Sequence, residues 1–213
     1  MNPQRETPKL CRKQREDGGM IKTRDELQWY LKCDRIAMQK KSKARPWNDT
    51  YYFLWVLRHY EYWSNQKGFL GRVLALLWHI RYKKISMKCG FTIPINIIGP
   101  GLCLPHYGTI VISSYARIGC NCKIHAGVNI GATNGNNEAK IIGDNVYIGP
   151  GAKLVGAGYI ASRVVIGANA VVTGDVSEEG ITVAGVPARK ISDKDSSLHL
   201  INATEIAREK VDE

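Results

Sequence analysis

Aliphatic residues recur at every sixth position through the second half of the chain. They run Ile98, Leu104, Ile110, then Ile112, Ile118, Ile124, Ile130, then Ile142, Ile148, Leu154, Ile160, Ile166 and Val172. The next position is often glycine (Gly99, Gly119, Gly131, Gly143, Gly149, Gly167). The fourth position after each anchor is usually small or β-branched, as at Ala116, Cys122, Val128, Val146, Ala152, Val164 and Ala170. A period of six fits neither a helix nor a plain amphipathic strand. It fits a short strand plus a corner, three to a coil, with one inward aliphatic on each face of a triangular prism. Coils of this kind stack about 4.8 Å apart, each strand pairing with the one above it. Roughly 74 repeat residues at about 18 per coil give about four coils. Two irregularities interrupt the pattern. A two-residue shift between Ile110 and Ile112 reads as a bulge-like insertion, and Thr133–Lys140 lacks an anchor and reads as an external loop. The register stops at Glu178.

The pattern ahead of the repeat is helical. Thr23-Arg24-Asp25-Glu26 reads as an N-cap with early acids, opening a helix through about Gln39. Pro46 and Asn48-Asp49 break it, and Asp49 or Thr50 then caps a second helix over Tyr51–Trp63. A third follows Gly68, over Phe69–Lys84, with a basic end. The expected organisation is a disordered basic tail over 1–19, an α-helical region over 20–90, a β-helix over 91–190 and a peripheral tail over 191–213. That tail carries a short helix near Thr204–Val211. Met20, after Gly18-Gly19, is an alternative start.

Composition narrows the class. The chain has 213 residues, 44% hydrophobic and 23% charged, which excludes a wholly disordered or collagen-like chain. The longest apolar run, Val73–Ile80, is far short of the roughly 20 residues of a membrane span. Met1–Arg15 is polar and basic without the apolar core of a signal peptide. Six cysteines without a secretory context therefore read as reduced thiols in a cytoplasmic protein. Cys120-Asn121-Cys122 lacks further ligands at zinc spacing, so no metal is expected.

The net charge of +11 is uneven. Residues 1–90 hold 20 Lys and Arg against 8 Asp and Glu, whereas residues 91–213 hold 10 against 11. Nucleic acid is a poor explanation because no recognised nucleic-acid-binding fold accompanies the charge. Two others stay open: packing of the helices around a trimer, or peripheral association of the basic helix Phe69–Lys84 with an anionic membrane.

Three stretches carry a family resemblance. Ile148-Gly149-Pro150-Gly151-Ala152, Ile166-Gly167-Ala168-Asn169-Ala170-Val171-Val172 and Ala184-Gly185-Val186-Pro187-Ala188-Arg189-Lys190 resemble the hexapeptide-repeat acyltransferases. These are trimeric, left-handed parallel β-helix enzymes that use acetyl-CoA. Their hand is an exception to the usual right-handed crossover. The resemblance covers residues 92–190. Ile98–Ile112 is similar to the serine O-acetyltransferase segment that bears the catalytic histidine, matched here by His106. Similar enzymes accompany surface-polysaccharide synthesis. The chain departs from serine O-acetyltransferase at Pro105 and Phe91, where that enzyme has carboxylates, and at Asn137-Glu138, where it has an Arg-His pair.

The resemblance implies a mainly β, left-handed parallel β-helix with a small helical N-terminal region, assembled as a homotrimer or dimer of trimers. It implies O-acetylation from acetyl-CoA, with serine (cysteine biosynthesis) or a sugar hydroxyl (polysaccharide biosynthesis) as acceptor. A non-catalytic scaffold or nucleic-acid-binding module is the reading of another class. O-acetylation needs a base near neutral pH, a role that suits His106. His125 is expected on the same face of the next coil. Tyr107 and the loop residue Glu138 are candidate acceptor contacts. By family likeness CoA lies in a groove between prisms, with Pro150, Ala168 and Thr173 along the pantetheine arm and Arg189 and Lys190 near the phosphates.

Overall fold

A computed structural model describes residues 20–40, 48–133 and 137–209. The reading of 1–19 as a disordered tail lies outside these residues. Helix α1 (Arg24–Ala37) opens on the expected capping box: Thr23 Oγ1 accepts from Glu26 N at 3.1 Å, and the Glu26 carboxylate accepts from Thr23 N at 3.0 Å. Helix α2 (Asp49–Ser64) is capped by Asn48 rather than Asp49 or Thr50. Helix α3 (Phe69–Cys89) runs beyond Lys84, because Ile85 and Cys89 carry its buried side onward. Gly90 stops it, with φ at 78° in the left-handed region that favours glycine.

The six-residue pattern then builds three parallel sheets around one axis. The first holds β1 (Phe91–Thr92), β2 (Ile110–Ile112), β5 (Asn129–Gly131), β8 (Lys153–Val155) and β11 (Val171–Val172). The second holds β3 (Arg117–Ile118), β6 (Ile141–Ile142) and β9 (Tyr159–Ile160). The third holds β4 (Lys123–Ile124), β7 (Tyr147–Ile148), β10 (Val165–Ile166) and β12 (Thr182–Gly185), closed by β13 (Ala188–Ser192), which runs antiparallel to β12. The anchors Ile112, Ile130, Leu154 and Val172 stack in register, all buried.

The registers also locate both insertions. Cys103 pairs with Lys123 but Val111 pairs with Asn129, so the two extra residues sit in the corner between Leu104 and Ile112. That corner contains His106. The second insertion is the loop after Gly131, whose far end is fixed by the buried Lys140. The Lys140 ammonium donates to Gly174 O at 3.0 Å and to Thr173 O at 3.3 Å.

One hydrophobic cluster runs from Cys33 and Leu57 through the prism anchors to Ala207, so helices and prism share a core. Where they meet, the first coil has no coil beneath it, and its backbone groups form an exposed sheet edge. Three buried charges occupy that edge. Arg58 donates to Asp34 at 2.8 Å, to Glu61 at 3.0 Å, and to the carbonyls of Ile98 and Gly99 at 2.9 and 2.8 Å. Asp34 Oδ1 accepts from Gly101 N and Leu102 N at 2.8 and 2.9 Å, and Glu61 Oε1 accepts from Asn96 N at 2.8 Å. Burial opposes the Arg58 charge, but Asp34 and Glu61 outweigh it and hold the guanidinium protonated.

The C-terminal segment is not the peripheral tail expected. After a short 3-10 turn (Ser196–Leu198), helix α4 (Ala203–Glu209) docks on α1, and its small Ala203 and Ala207, one turn apart, are fully buried. Asn121 Nδ2 donates to Asn202 Oδ1 and Thr204 Oγ1, both at 2.8 Å, and Lys32 Nζ donates to Ala207 O at 2.7 Å. Cys33, Cys89, Cys103 and Cys122 are free and buried. Cys120 is disulfide-bonded, which departs from the expectation of six reduced thiols.

Replacing Arg58 by Met leaves two buried carboxylates uncompensated, a loss of about 3–5 kcal/mol. The thermal midpoint is expected to fall by roughly 10 °C. Arg58→Lys recovers only part of this, because an ammonium cannot reproduce the planar fork. Unchanged melting in the Met variant contradicts this role.

Candidate active site

The corner joining the third sheet to the first repeats once per coil, and the register aligns its residues along the prism. Gly108 stacks on Ala126, and Pro150, Ala168 and Gly185 continue the line; His106 lies two residues before Gly108, in the longer first corner. Backbone bonds stitch it together: Gly151 N donates to Ala126 O at 3.0 Å, and Asn169 N donates to Pro150 O at 2.9 Å. A side chain at Gly149 would meet Ala168 N at 2.8 Å, so a glycine there lets the coils close up. Coil spacing makes the line from Gly108 to Ala168 roughly 14 Å long. Arg189, paired with Ala184 on β13, lies beside its far end.

His106 is exposed, as is Tyr107 beside it. His125 is half-buried on the next coil, and the two imidazoles lie 6.1 Å apart between ring centroids. The register expectation that they share one face is met. Burial, then the charges of Lys123 and His106, push the His125 pKa down, so its imidazole is neutral at neutral pH. Its Nε2 is buried and makes no hydrogen bond. Neither imidazole is hydrogen-bonded to a carboxylate among the described residues. Phe91, where the family resemblance places an orienting carboxylate, is buried in the core and pairs with Ile110.

The other candidates divide. Pro150 and Ala168 are exposed on the His106 corner line. Thr173 and Glu138, both exposed, sit instead at the corner between the first and second sheets. One chain therefore does not bring them to His106. The Arg189 guanidinium is exposed and bonds only its neighbouring Ala188 carbonyl among the described residues. Lys190 is engaged by Glu178 and Asp193, each at 2.6 Å, and these bonds raise its pKa.

Three residues that the six-residue pattern does not single out complete the surroundings. The Tyr147 ring lies 5.2 Å from that of His125 and the His199 ring 4.8 Å from that of Tyr147, both tilted, extending the imidazole row. Lys123 Nζ donates to His199 O at 3.0 Å. The Lys123–Tyr147 pairing was readable by subtracting the loop from the period, but His199 arrives from outside the repeat. A cavity of about 380 Å³ opens beside Pro105, between the third sheet, the end of α1 and residues 198–201. It is lined in part by Lys40 and Lys123 and by no Asp or Glu among the described residues. No group of three or more His, Cys, Asp or Glu among them is placed to hold a metal ion.

No family model matches the chain. Curated relatives do. A serine acetyltransferase from Staphylococcus xylosus is 43% identical over 128 residues, covering 53% of this chain and 58% of that protein. One from Synechococcus elongatus is 38% identical over 97 residues, covering 44% and 39%. The chain thus spans about half the length of the curated relatives it matches. Among solved structures, the soybean serine acetyltransferase apoenzyme superposes with a TM-score of 0.61 at 26% identity, covering 78% of this chain and 69% of that one. The Vibrio cholerae enzyme gives 0.61 at 25%, covering 79% and 66%. The fold is accordingly the left-handed β-helix of the hexapeptide-repeat transferases. Within that class the chain is similar to serine acetyltransferases, in sequence over about half of their length and in fold.

A depressed histidine pKa has a stability consequence. The unfolded chain takes up a proton near the ordinary 6.5, whereas the folded chain keeps His125 neutral. Stability is therefore full above about pH 6.5 and is lost as pH falls below it. His59, also depressed by burial, acts in the same direction. Thermal midpoints measured across this range should drop toward acid, and His125→Asn should shrink the drop. An equal drop in that variant refutes the assignment.

Proposed function

We propose that the chain is an acetyl-CoA-dependent O-acetyltransferase, serine O-acetyltransferase-like, with His106 as general base. The observation that carries this reading is the corner line, a track of small residues with an imidazole at one end and a guanidinium near the other. Such a track suits an extended thioester carrier. Pro150 and Ala168 would flank the pantetheine arm, and Arg189 would meet the phosphates as a charge-assisted donor. Lys190 would have to exchange its two carboxylates to join it.

In the reaction His106 removes the acceptor hydroxyl proton while the oxygen attacks the acetyl carbonyl. The tetrahedral intermediate collapses with cleavage of the C–S bond, and the imidazolium returns the proton to the departing thiolate. Backbone N–H groups near the thioester would stabilise the oxyanion. The products are an O-acetyl ester and free CoA, with no covalent enzyme intermediate.

Assembly as a homotrimer, alone or as a dimer of trimers, is part of the proposal. Thr173 and Glu138 occupy a different corner from His106, so a groove between adjacent prisms would unite them. Tyr107 and Glu138 are then acceptor contacts from two chains. Serine is the acceptor that the relatives' names suggest. A sugar hydroxyl of a surface polysaccharide is the second reading, favoured by one observation. Pro105, directly before His106, offers no carboxylate for an amino acid's ammonium group.

Thiol release from acetyl-CoA, measured with L-serine and with a panel of sugars, tests both acceptors. His106→Ala is expected to lower kcat at least about 100-fold. Arg189→Ala should raise KM for acetyl-CoA and leave kcat near its original value. Full turnover by His106→Ala overturns the assignment of the base, and no thiol release with any acceptor leaves a non-catalytic β-helix.

A further inference from the structure

Helix α3 is apolar on two sides. Its inward side is packed, with Tyr82 and Ile85 buried and Trp78 edge-on to Trp55 of α2 at 5.1 Å between ring centroids. Its outward side carries Phe69, Leu70, Val73, Leu76, Leu77 and Ile80, with Phe69 83%, Leu70 68% and Leu76 61% exposed. Spacings of three, four, seven and eleven put these residues in one stripe. A helix that is hydrophobic all round is ordinarily covered all round. Exposed apolar residues scattered singly need no explanation, but a contiguous stripe marks a contact surface.

Charge selects what covers it. The helix holds Arg72, Arg81, Lys83, Lys84 and Lys88 and no acidic residue. At about 100° per residue, Arg72 and Lys83 fall along one edge of the stripe and Arg81 and Lys88 along the other. Lys88 is paired with Asp49 at 2.7 Å, whereas the other four form no ion pair among the described residues. An apolar stripe fringed by cations matches the boundary of an anionic bilayer. The apolar side chains enter the acyl margin, and the cations extend to the phosphates on their aliphatic stems. Two copies joined stripe to stripe would instead bring cationic fringes together with no acid on the helix to offset them. No helix among the described residues is long and apolar enough to cross a membrane, so any such contact is peripheral.

We propose that α3 seats the protein on an anionic lipid surface, lying in the plane of the headgroups. The helix is also tied to the catalytic corner: Gly108, two residues from His106, donates its N–H to Cys89 O at 2.8 Å. A helix of 21 residues spans about 30 Å. Docking therefore holds the His106 corner within one helix length of the lipid.

Sedimentation of the full chain with phosphatidylcholine vesicles, with and without phosphatidylglycerol, tests this. Partition onto phosphatidylglycerol vesicles is expected to exceed that onto neutral ones by about tenfold or more at low salt, and to weaken in about 0.5 M salt. Lys83→Glu/Lys84→Glu and Leu76→Glu/Leu77→Glu should each lower it by about tenfold or more. Melting and thiol release of both variants should match the parent, because these side chains are exposed and lie away from the corner line. No partition at low salt, or equal partition onto neutral vesicles, overturns the proposal. Vesicle binding retained by both variants, or a Leu76→Glu/Leu77→Glu change that only reduces the size of the free protein, likewise overturns it. The last result assigns the stripe to a second copy.

Discussion

A stack of coils has two open ends, and everything in this molecule depends on how the first is closed. A sheet edge with unpaired N–H and C=O groups invites further pairing or fraying. Here Arg58, Asp34 and Glu61 stand in for the missing coil, donating to Ile98 and Gly99 and accepting from Asn96, Gly101 and Leu102. Buried ion pairs are weak evidence for stability by themselves, since desolvation opposes the attraction. In this setting their charges also satisfy backbone groups that would otherwise be buried without partners. The last of these, Leu102, is four residues before His106, so the same device fixes the start of the corner line.

From that edge the repeat does the positioning. An 18-residue step returns the chain to the same corner, so residues chosen at that interval align without further constraint. Small residues at Ala126, Ala168 and Gly185 keep the line shallow. The two departures from the period are the two places where chemistry leaves the regular surface. One makes the His106 corner two residues longer than those stacked on it, pushing the imidazole outward. The other throws out the loop bearing Glu138, anchored at its base by Lys140.

The prism was legible because one aliphatic per strand must point inward, and nothing else produces a period of six. The capping box of α1 was legible for a similarly local reason: Thr23 and Glu26 satisfy each other's backbone N–H groups. The two-residue insertion was read between Ile110 and Ile112, yet the registers put it between Leu104 and Ile112. Both Ile110 and Ile112 are buried anchors, so spacing alone could not say which belonged to the stack above. Residues 191–209 carried no period and a polar composition, so their docking was illegible. It depends on Ala203 and Ala207 fitting α1 and on Asn121, contacts between segments far apart in sequence. His199 reached the imidazole row by the same route. The Asp34–Arg58–Glu61 group was hidden for a related reason, since Asp34 lies on a different helix from Arg58 and Glu61 and meets them only in the fold.

The electrostatics of the corner follow from what surrounds it. Among the described residues His106 has no carboxylate partner to steady an imidazolium, and Phe91 fills the position where the resemblance places one with core packing. In the proposed transfer, the charge that balances an imidazolium at His106 would come from the reacting groups themselves, first the tetrahedral oxyanion and then the thiolate. Such an arrangement would favour rapid return of the proton to sulfur, because that transfer would remove both charges together. A second cation 6.1 Å away would work against the first step by making the imidazolium harder to form. Burial of His125 against Tyr147 keeps it neutral and removes that opposition. Tyr147 in turn lies 4.8 Å from His199, which joins the row from outside the repeat. The C-terminal segment, which adds nothing to the repeat, thereby extends the imidazole row that begins at His106.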